Sequence, residues 1–435
     1  MSANLQLNSF SMPSHGHNIP DGHIGTCQVC GSDDLRLVID LGHQPLCDSL
    51  LTAAQLNLPE KTFPLRLYRC TRCTLTQLDY AVPSSEVYHP EYPYRSGITR
   101  EVVTHMVGLA SECTSRLRLG KSGYVLDIGC NDGTLLKAFS KLGVPTLGVE
   151  PTNIANIARE EGIEVIQSFF NESLAADILR EKGPATVVTA TNVFAHMSTL
   201  GDVMRGIKIV LADNGHFVCE THYLPEIQRK NQYDSIYHEH LRSYTLRSLI
   251  VLFHLYSMTV VRAEVMDRYS GTLRVFVNNE LGAAQDATVG ALLEKESQAG
   301  LDTEVPYELF RQATIKSRLD LLELAYSAQR KGQSFVGNSC PGRSSTLINY
   351  VGITKSDLPY ICEQPTSLKL GMFLPGKHIP IVQNTRLERE QPDYIVLLAW
   401  HYADTICKEL RDRGIRSKLV LPLPKVTVID PQKTP

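Results

Sequence analysis

The spacing of apolar positions changes character three times along the chain. Over residues 26–87 the apolar runs are short and broken by turn residues, with strand-like stretches at 35–40 and 65–70 and little helical periodicity. From residue 99 a helical pattern to 117 leads into the strand run Tyr124-Val-Leu-Asp-Ile128, and a helix is predicted from Gly133 onward. Further strand-length runs fall at 145–150, 163–167, 186–190, 216–220, 258–264 and 272–278. Apolar strands alternating with helices predict a mainly parallel sheet covered on both faces. A polar helical connector spans 281–331. The alternation then restarts with a strand at 333–336, the loop Gly337-Asn-Ser-Cys-Pro-Gly-Arg343 and a helix through Tyr350. Strands at 379–382, 394–399 and 418–421 complete this part. The pattern divides the chain into a flexible leader (1–25), a strand-and-turn domain (26–98), an α/β domain (99–280), the connector, and a second α/β domain (332–435).

Composition narrows the classes. The 435 residues, 43% of them hydrophobic, suffice for two or three packed domains. With 43 basic and 46 acidic side chains the net charge is −3, so neither a nucleic-acid footprint nor a polybasic membrane patch is expected. No apolar run approaches the roughly 20 residues of a membrane span. The polar N-terminus lacks the apolar core of a signal peptide and reads as a loose leader on a cytoplasmic protein. Seven of the eleven cysteines are scattered as buried free thiols usually are, which suits a reducing compartment.

The other four are not scattered. Cys27-Gln-Val-Cys30 and Cys70-Thr-Arg-Cys73 have the spacing at which two thiolates point at one ion, and two such pairs complete a tetrahedron. Two unrelated thiol pairs, or a redox pair, are the alternatives; a redox motif needs only one pair. Four thiolates leave no open coordination position, so the expected Zn²⁺ is structural.

A second signal is Asp127-Ile-Gly129-Cys-Asn-Asp-Gly133, which follows a buried strand and opens a helix. Gly129 and Gly133 let backbone approach a ligand beside helix N–H groups, and Glu150, ending the next strand, can accept both hydroxyls of a ribose. A dinucleotide site would want G-x-G-x-x-G. The D-x-G-x-x-x-G spacing instead resembles motif I of class I S-adenosylmethionine (SAM) methyltransferases. By that resemblance Asp127, Gly129, Gly133 and Glu150 bind the cofactor, and Asn192 sits where the family contacts its methionine portion. Phe169 or Phe170 could flank the adenine, with burial in the core as the plainer reading.

Tyr237-His-Glu-His240, followed by Tyr244, lies just beyond the predicted fifth strand, and His196 beyond the fourth. Ligands of such folds sit outside the carboxyl ends of the strands, so two strand ends aim imidazoles at one cleft. A metal bound by His196, His238, Glu239 and His240 is disfavoured, because adjacent residues point in different directions. Structural hydrogen bonding suffices for His238 and Tyr244. Proton transfer by His196, Glu239 or His240 suits an imidazole that titrates near neutral pH.

Taken in order, these residues resemble the three-domain sugar C-methyltransferases that act on nucleotide-linked keto-deoxysugars. The likeness covers nearly the whole chain. It also rests on Tyr92-Pro-Tyr94-Arg-Ser96, Pro341-Gly-Arg343, Leu374-Pro-Gly-Lys-His-Ile-Pro380 and Leu398-Ala-Trp400. It implies a zinc-binding N-terminal domain, a central Rossmann-like methyltransferase domain, and a C-terminal Rossmann-like α/β domain that supports the sugar nucleotide. Arg343 or Lys377 would meet its diphosphate, unless Arg343 merely solvates a helix start. The implied chemistry is methyl transfer from SAM to a carbon beside a ketone. His240 is then the base, Glu239 and Tyr237 orient it and the sugar, and His196 and Tyr94 contact the sugar or its oxyanion. The chain departs from the family pattern at Glu220-Thr-His222-Tyr223, Tyr269-Ser-Gly-Thr272, Ser339-Cys340 and His401. The competing classes are an O- or N-methyltransferase, an NAD(P)-dependent oxidoreductase using the last domain, and a non-catalytic zinc-bearing binding module.

Overall fold

The computed structural model describes residues 6–87, 96–98, 100–267 and 271–430, so Tyr92, Tyr94 and Tyr269 lie outside the described residues. The expected alternation is realised as two seven-stranded sheets. Across the central sheet the order is Thr259–Met266, Thr272–Asn278, Leu211–His222, Ala185–Thr191, Val125–Ile128, Thr146–Val149 and Val165–Ile166. Thr272–Asn278 is antiparallel to both neighbours and the other pairs are parallel. Val125–Ile128 is buried at every position, as its unbroken run requires. The chain leaves it first toward Thr146–Val149 and later returns to Ala185–Thr191 on its other side. That reversal opens a crevice at the carboxyl ends of the strands.

The last domain repeats this plan around Phe335–Asn338, flanked by Ile361–Glu363 and Tyr394–Leu397. The connector is two helices, Ala287–Gln298 and Val305–Arg330. The second buries Tyr307, Phe310, Thr314, Ser317, Leu321, Ala325 and Ala328, one face at helical spacing.

The sheet of the N-terminal domain runs Leu35–Gln44, Phe63–Cys70, Thr76–Leu78 and then Arg242–Ser243, a strand from the central domain. One expectation needs correction: the leader is not loose over the residues described. His17 is fully buried, Ile19 donates its N–H to Ser198 O at 2.9 Å, and the packing is so close that a Cβ at Gly201 would collide with Gly16 O. Its polar sequence conceals this, because hydrogen bonds hold it together with only a few apolar anchors: Ile19 and Ile24 pack with Ala81 and Leu241, and Leu7 and Phe10 rest on the main core. Among the described residues no helix is long and apolar enough to cross a membrane.

Candidate active site

The four knuckle cysteines converge. Their sulfurs lie within 4.8 Å of one another, with Cys27–Cys73 and Cys30–Cys70 each 3.5 Å apart. A Zn–S bond of about 2.3 Å implies tetrahedral S–S edges of about 3.8 Å, so the cage fits zinc. Gly31 takes φ +69°, the left-handed turn that ends the first knuckle. Among the described residues this is the cluster of His, Cys, Asp and Glu that could hold an ion; the histidines of the cleft do not form one.

The glycine loop is built as its spacing demands. Gly129 has φ +72°, and a Cβ there would stand 2.7 Å from Val193 Cγ1. Asp127 is buried and accepts a 2.7 Å hydrogen bond from Thr189 Oγ1; burial pushes its carboxyl up to about 7. Glu150, also buried, accepts Asn131 N–H at 3.0 Å on one oxygen, and Thr152 N–H at 2.9 Å and its hydroxyl at 2.7 Å on the other. The loop's own amides therefore fix this carboxylate's orientation. Asn192, at φ +57°, has both amide atoms shielded and without a hydrogen-bond partner, a cost a bound polar group would relieve. Phe170 belongs to the core, whereas Phe169 is 59% exposed. Ser96 and Gly97 donate their N–H groups to the side chains of Asn131 (2.9 Å) and Asp132 (2.7 Å), docking the chain that follows Tyr94 onto this loop.

The imidazoles meet around His240. Its ring centroid lies 3.9 Å from that of Tyr237, 4.0 Å from His222 and 4.8 Å from His196. Nδ1 of His240 donates to Ser235 O at 2.7 Å, which assigns the proton to Nδ1 and leaves Nε2 a lone pair. Burial, then the neighbouring His222 and His196, hold this ring's pKa well below the ordinary imidazole value. Burial alone lowers His196 to about 4, and Glu239 stands 4.0 Å from its Nδ1. Burial raises the Tyr237 hydroxyl well above its usual range. His238 turns away and meets Phe63 O at 3.3 Å, tying the loop to the zinc domain.

His222 is a member of this cluster that motif matching placed only among the departures. It ends the strand Leu211–His222, two residues past Glu220, so strand register was the signal available. Its Nδ1 is buried and unpartnered, and its pKa falls to about 3, first through burial and then through His196 and Arg343. The last domain contributes to the same wall. Trp400 Nε1 donates to Asp234 at 2.8 Å, and Arg343 approaches Asp234 at 3.4 Å and Gln232 at 3.2 Å. Arg343 thus faces the segment leading into Tyr237 instead of capping a helix in solvent. Beside Glu363, the counterpart of Glu150, the last domain has a cavity of only ≈ 30 Å³, lined in part by Ile406, Leu410 and Arg413. That is room for a water and not for a nucleotide.

Three family models match in succession: a zinc binding domain over residues 27–88, a methyltransferase domain over 104–263, and a C-methyltransferase C-terminal domain over 268–424. The uncharacterized methyltransferase YcgJ of Bacillus subtilis (strain 168) is 27% identical over 148 residues, 33% of this chain and 54% of that protein. The C-methyltransferase NovU of Streptomyces niveus is 32% identical over 419 residues, 94% of this chain and 98% of that protein. Likeness sustained through the zinc knuckles, the SAM fold and the last domain cannot come from a shared Rossmann core alone: the chain belongs to the family of SAM-dependent C-methyltransferases with an N-terminal zinc-binding domain.

Proposed function

We propose that the protein methylates the carbon α to the ketone of a nucleotide-linked keto-deoxysugar, through an enolate generated by His240. The observation that carries this reading is the fixed tautomer of His240: Nδ1–H is committed to Ser235 O, so Nε2 is the basic nitrogen in a buried cleft at the strand ends. SAM, when bound, supplies an electrophilic methyl group. Asp127, Gly129, Gly133, Glu150 and Asn192 would hold it beside that cleft.

His240 Nε2 takes the α-proton and becomes imidazolium, while the C–H electron pair passes into the enolate whose carbon accepts the methyl. A ring held neutral by burial is available as a base at neutral pH. Neutral His196 and the un-ionised Tyr237 hydroxyl can each donate a hydrogen bond where the enolate oxygen develops negative charge. Glu239 orients His196 from 4.0 Å, and Tyr94 completes the sugar contacts. Arg343, turned toward the cleft wall beside Asp234, would be the cation that meets the diphosphate.

The test uses nucleotide keto-deoxysugars, with SAM replaced by its demethylated product. The wild type should wash solvent deuterium into the α-carbon, and His240→Asn should slow this by about 10²–10⁴-fold. Exchange that survives in His240→Asn and stops in His196→Asn would transfer the role of base to His196.

A further inference from the structure

The thiolate cage and the imidazole cleft are joined through residues that do not coordinate the metal. Gln28, inside the first knuckle, is fully buried. Its N–H donates to Gln77 Oε1 at 2.7 Å, and its Nε2 donates to Leu78 O at 3.0 Å and reaches Leu241 O at 3.5 Å. Leu78 N–H donates to that same Leu241 carbonyl at 2.9 Å. Arg242 and Ser243 then pair with Gln77 and Thr76. The residues directly after His240 are therefore an added strand whose register the knuckle sets.

Arg242 forms the second connection. It is among the largest fully buried side chains, and its Nη1 donates to Met197 O, the carbonyl following His196, at 2.8 Å. The rest of its guanidinium is buried beside the Tyr244 hydroxyl, so the side chain is held between this strand and the backbone after His196. The leader adds a third: His17 donates from Nε2 to Val29 O at 2.7 Å, and the chain then reaches Ser198 through Ile19.

We propose that the zinc knuckle positions both imidazole loops, Gln28 fixing the strand after His240 and Arg242, within that strand, tying it to the backbone after His196. This gives the zinc domain a role beyond its own folding, and it rests on the reading of His240 and His196 as reacting groups. Gln28 and Arg242 act through other residues, so they are positioning residues.

The experiment is amide hydrogen exchange on the full-length, zinc-loaded protein, with metal content, SAM affinity and histidine ¹⁵N spectra measured on the same samples. Gln28→Leu and Arg242→Met should speed exchange over 237–243 by about tenfold, the order expected for losing a buried hydrogen bond. Exchange over 125–136 and SAM affinity should stay unchanged. The Nδ1–H tautomer signature of His240 should give way to a mixture of tautomers in Gln28→Leu, and Arg242→Lys should restore part of the protection lost in Arg242→Met. If either variant fails to fold, chelating zinc from the wild type asks the same question of the same peptides. Protection unchanged over 237–243 overturns the proposal. So does exchange that rises equally over 125–136, because the knuckle would then be a general staple. None of these readouts uses a sugar, so they report on the coupling even if the deuterium-exchange test moves the base away from His240.

Discussion

His196 and His222, with ring centroids 4.8 and 4.0 Å from that of His240, oppose its becoming an imidazolium when either is charged, and this organises the cleft at the scale of single residues. An imidazolium at His222 would oppose protonation of His240, so replacing His222 with Leu should move the His240 titration upward toward 6.5, as read by histidine NMR. An unmoved titration would mean that burial and His196 set it without His222. Glu150 gives a prediction on the cofactor side. Because its two oxygens brace Asn131 and Thr152 and are also expected to take the ribose hydroxyls, Glu150→Ala should weaken SAM binding by roughly 1.5–3 kcal/mol in calorimetry. Glu150, Gly129 and the four cysteines were legible in the sequence because each sits at a fixed offset within a local motif. His222 was not, because its place beside His240 depends on where a twelve-residue strand stops. Arg343 was visible as a cation, but its turn toward Asp234 belongs to the packing of two domains.

At the scale of elements, the strands that sequence reveals are those buried on both faces. Val125–Ile128, Thr272–Asn278 and Tyr394–Leu397 are apolar runs with no other explanation. Thr76–Leu78, Arg242–Ser243, Ile361–Glu363 and Thr427–Ile429 are two or three residues long and exist because a neighbour offers a ladder, so no periodicity announces them. The helix Arg100–Arg116 was expected from its pattern; it packs Val102, Met106, Leu109, Ala110 and Cys113 against Val125, Val187, Val218 and Phe276 of the sheet, and an ionic cluster adds to this attachment. Arg274 bonds Glu220 at 2.7 Å and Glu112 at 2.6 Å, while His105 meets Glu220 at 2.9 Å. Glu220 is fully buried. Arg274→Ala would strip it of its main counter-charge and should cost about 3–5 kcal/mol in urea unfolding. Arg274→Ala together with Glu220→Ala should cost less than the sum of the two single changes.

Over the whole molecule, buried imidazoles recur where domains meet. His17 joins the leader, the zinc knuckle through Val29 O, and the central domain through the Tyr256 hydroxyl at 2.8 Å. His238 joins the loop at 237–240 to the strand Phe63–Cys70, and His401 of the last domain lies beside Arg343. Burial lowers His17, His196 and His238 to about 4 and His222 and His401 to about 3, with His240 also well below 6.5. In the unfolded chain these six rings take up protons near pH 6.5, so their contribution to stability is present above that value and is lost as the pH falls toward 4. Three buried carboxyls act in the opposite sense: Asp127 and Glu296, raised to about 7, and Asp234, also raised by burial, favour the folded state as the pH falls toward 4. Six rings outnumber three carboxyls, so the unfolded state binds more protons at pH 5 and acid destabilises the protein. A single ring shifted from 6.5 to about 4 accounts for roughly 3 kcal/mol once the pH is below 4. The expected result is a level unfolding free energy near pH 7.5 and a progressive fall between pH 6.5 and 4, with fluorescence changes at the Trp400 contact preceding loss of the central sheet. His17→Gln should reduce the steepness of that fall by about one proton. Stability that holds level from pH 7 to 5 would mean that the rings are protonated in the folded protein, and the neutral His240 on which the proposed proton abstraction rests would be lost with them.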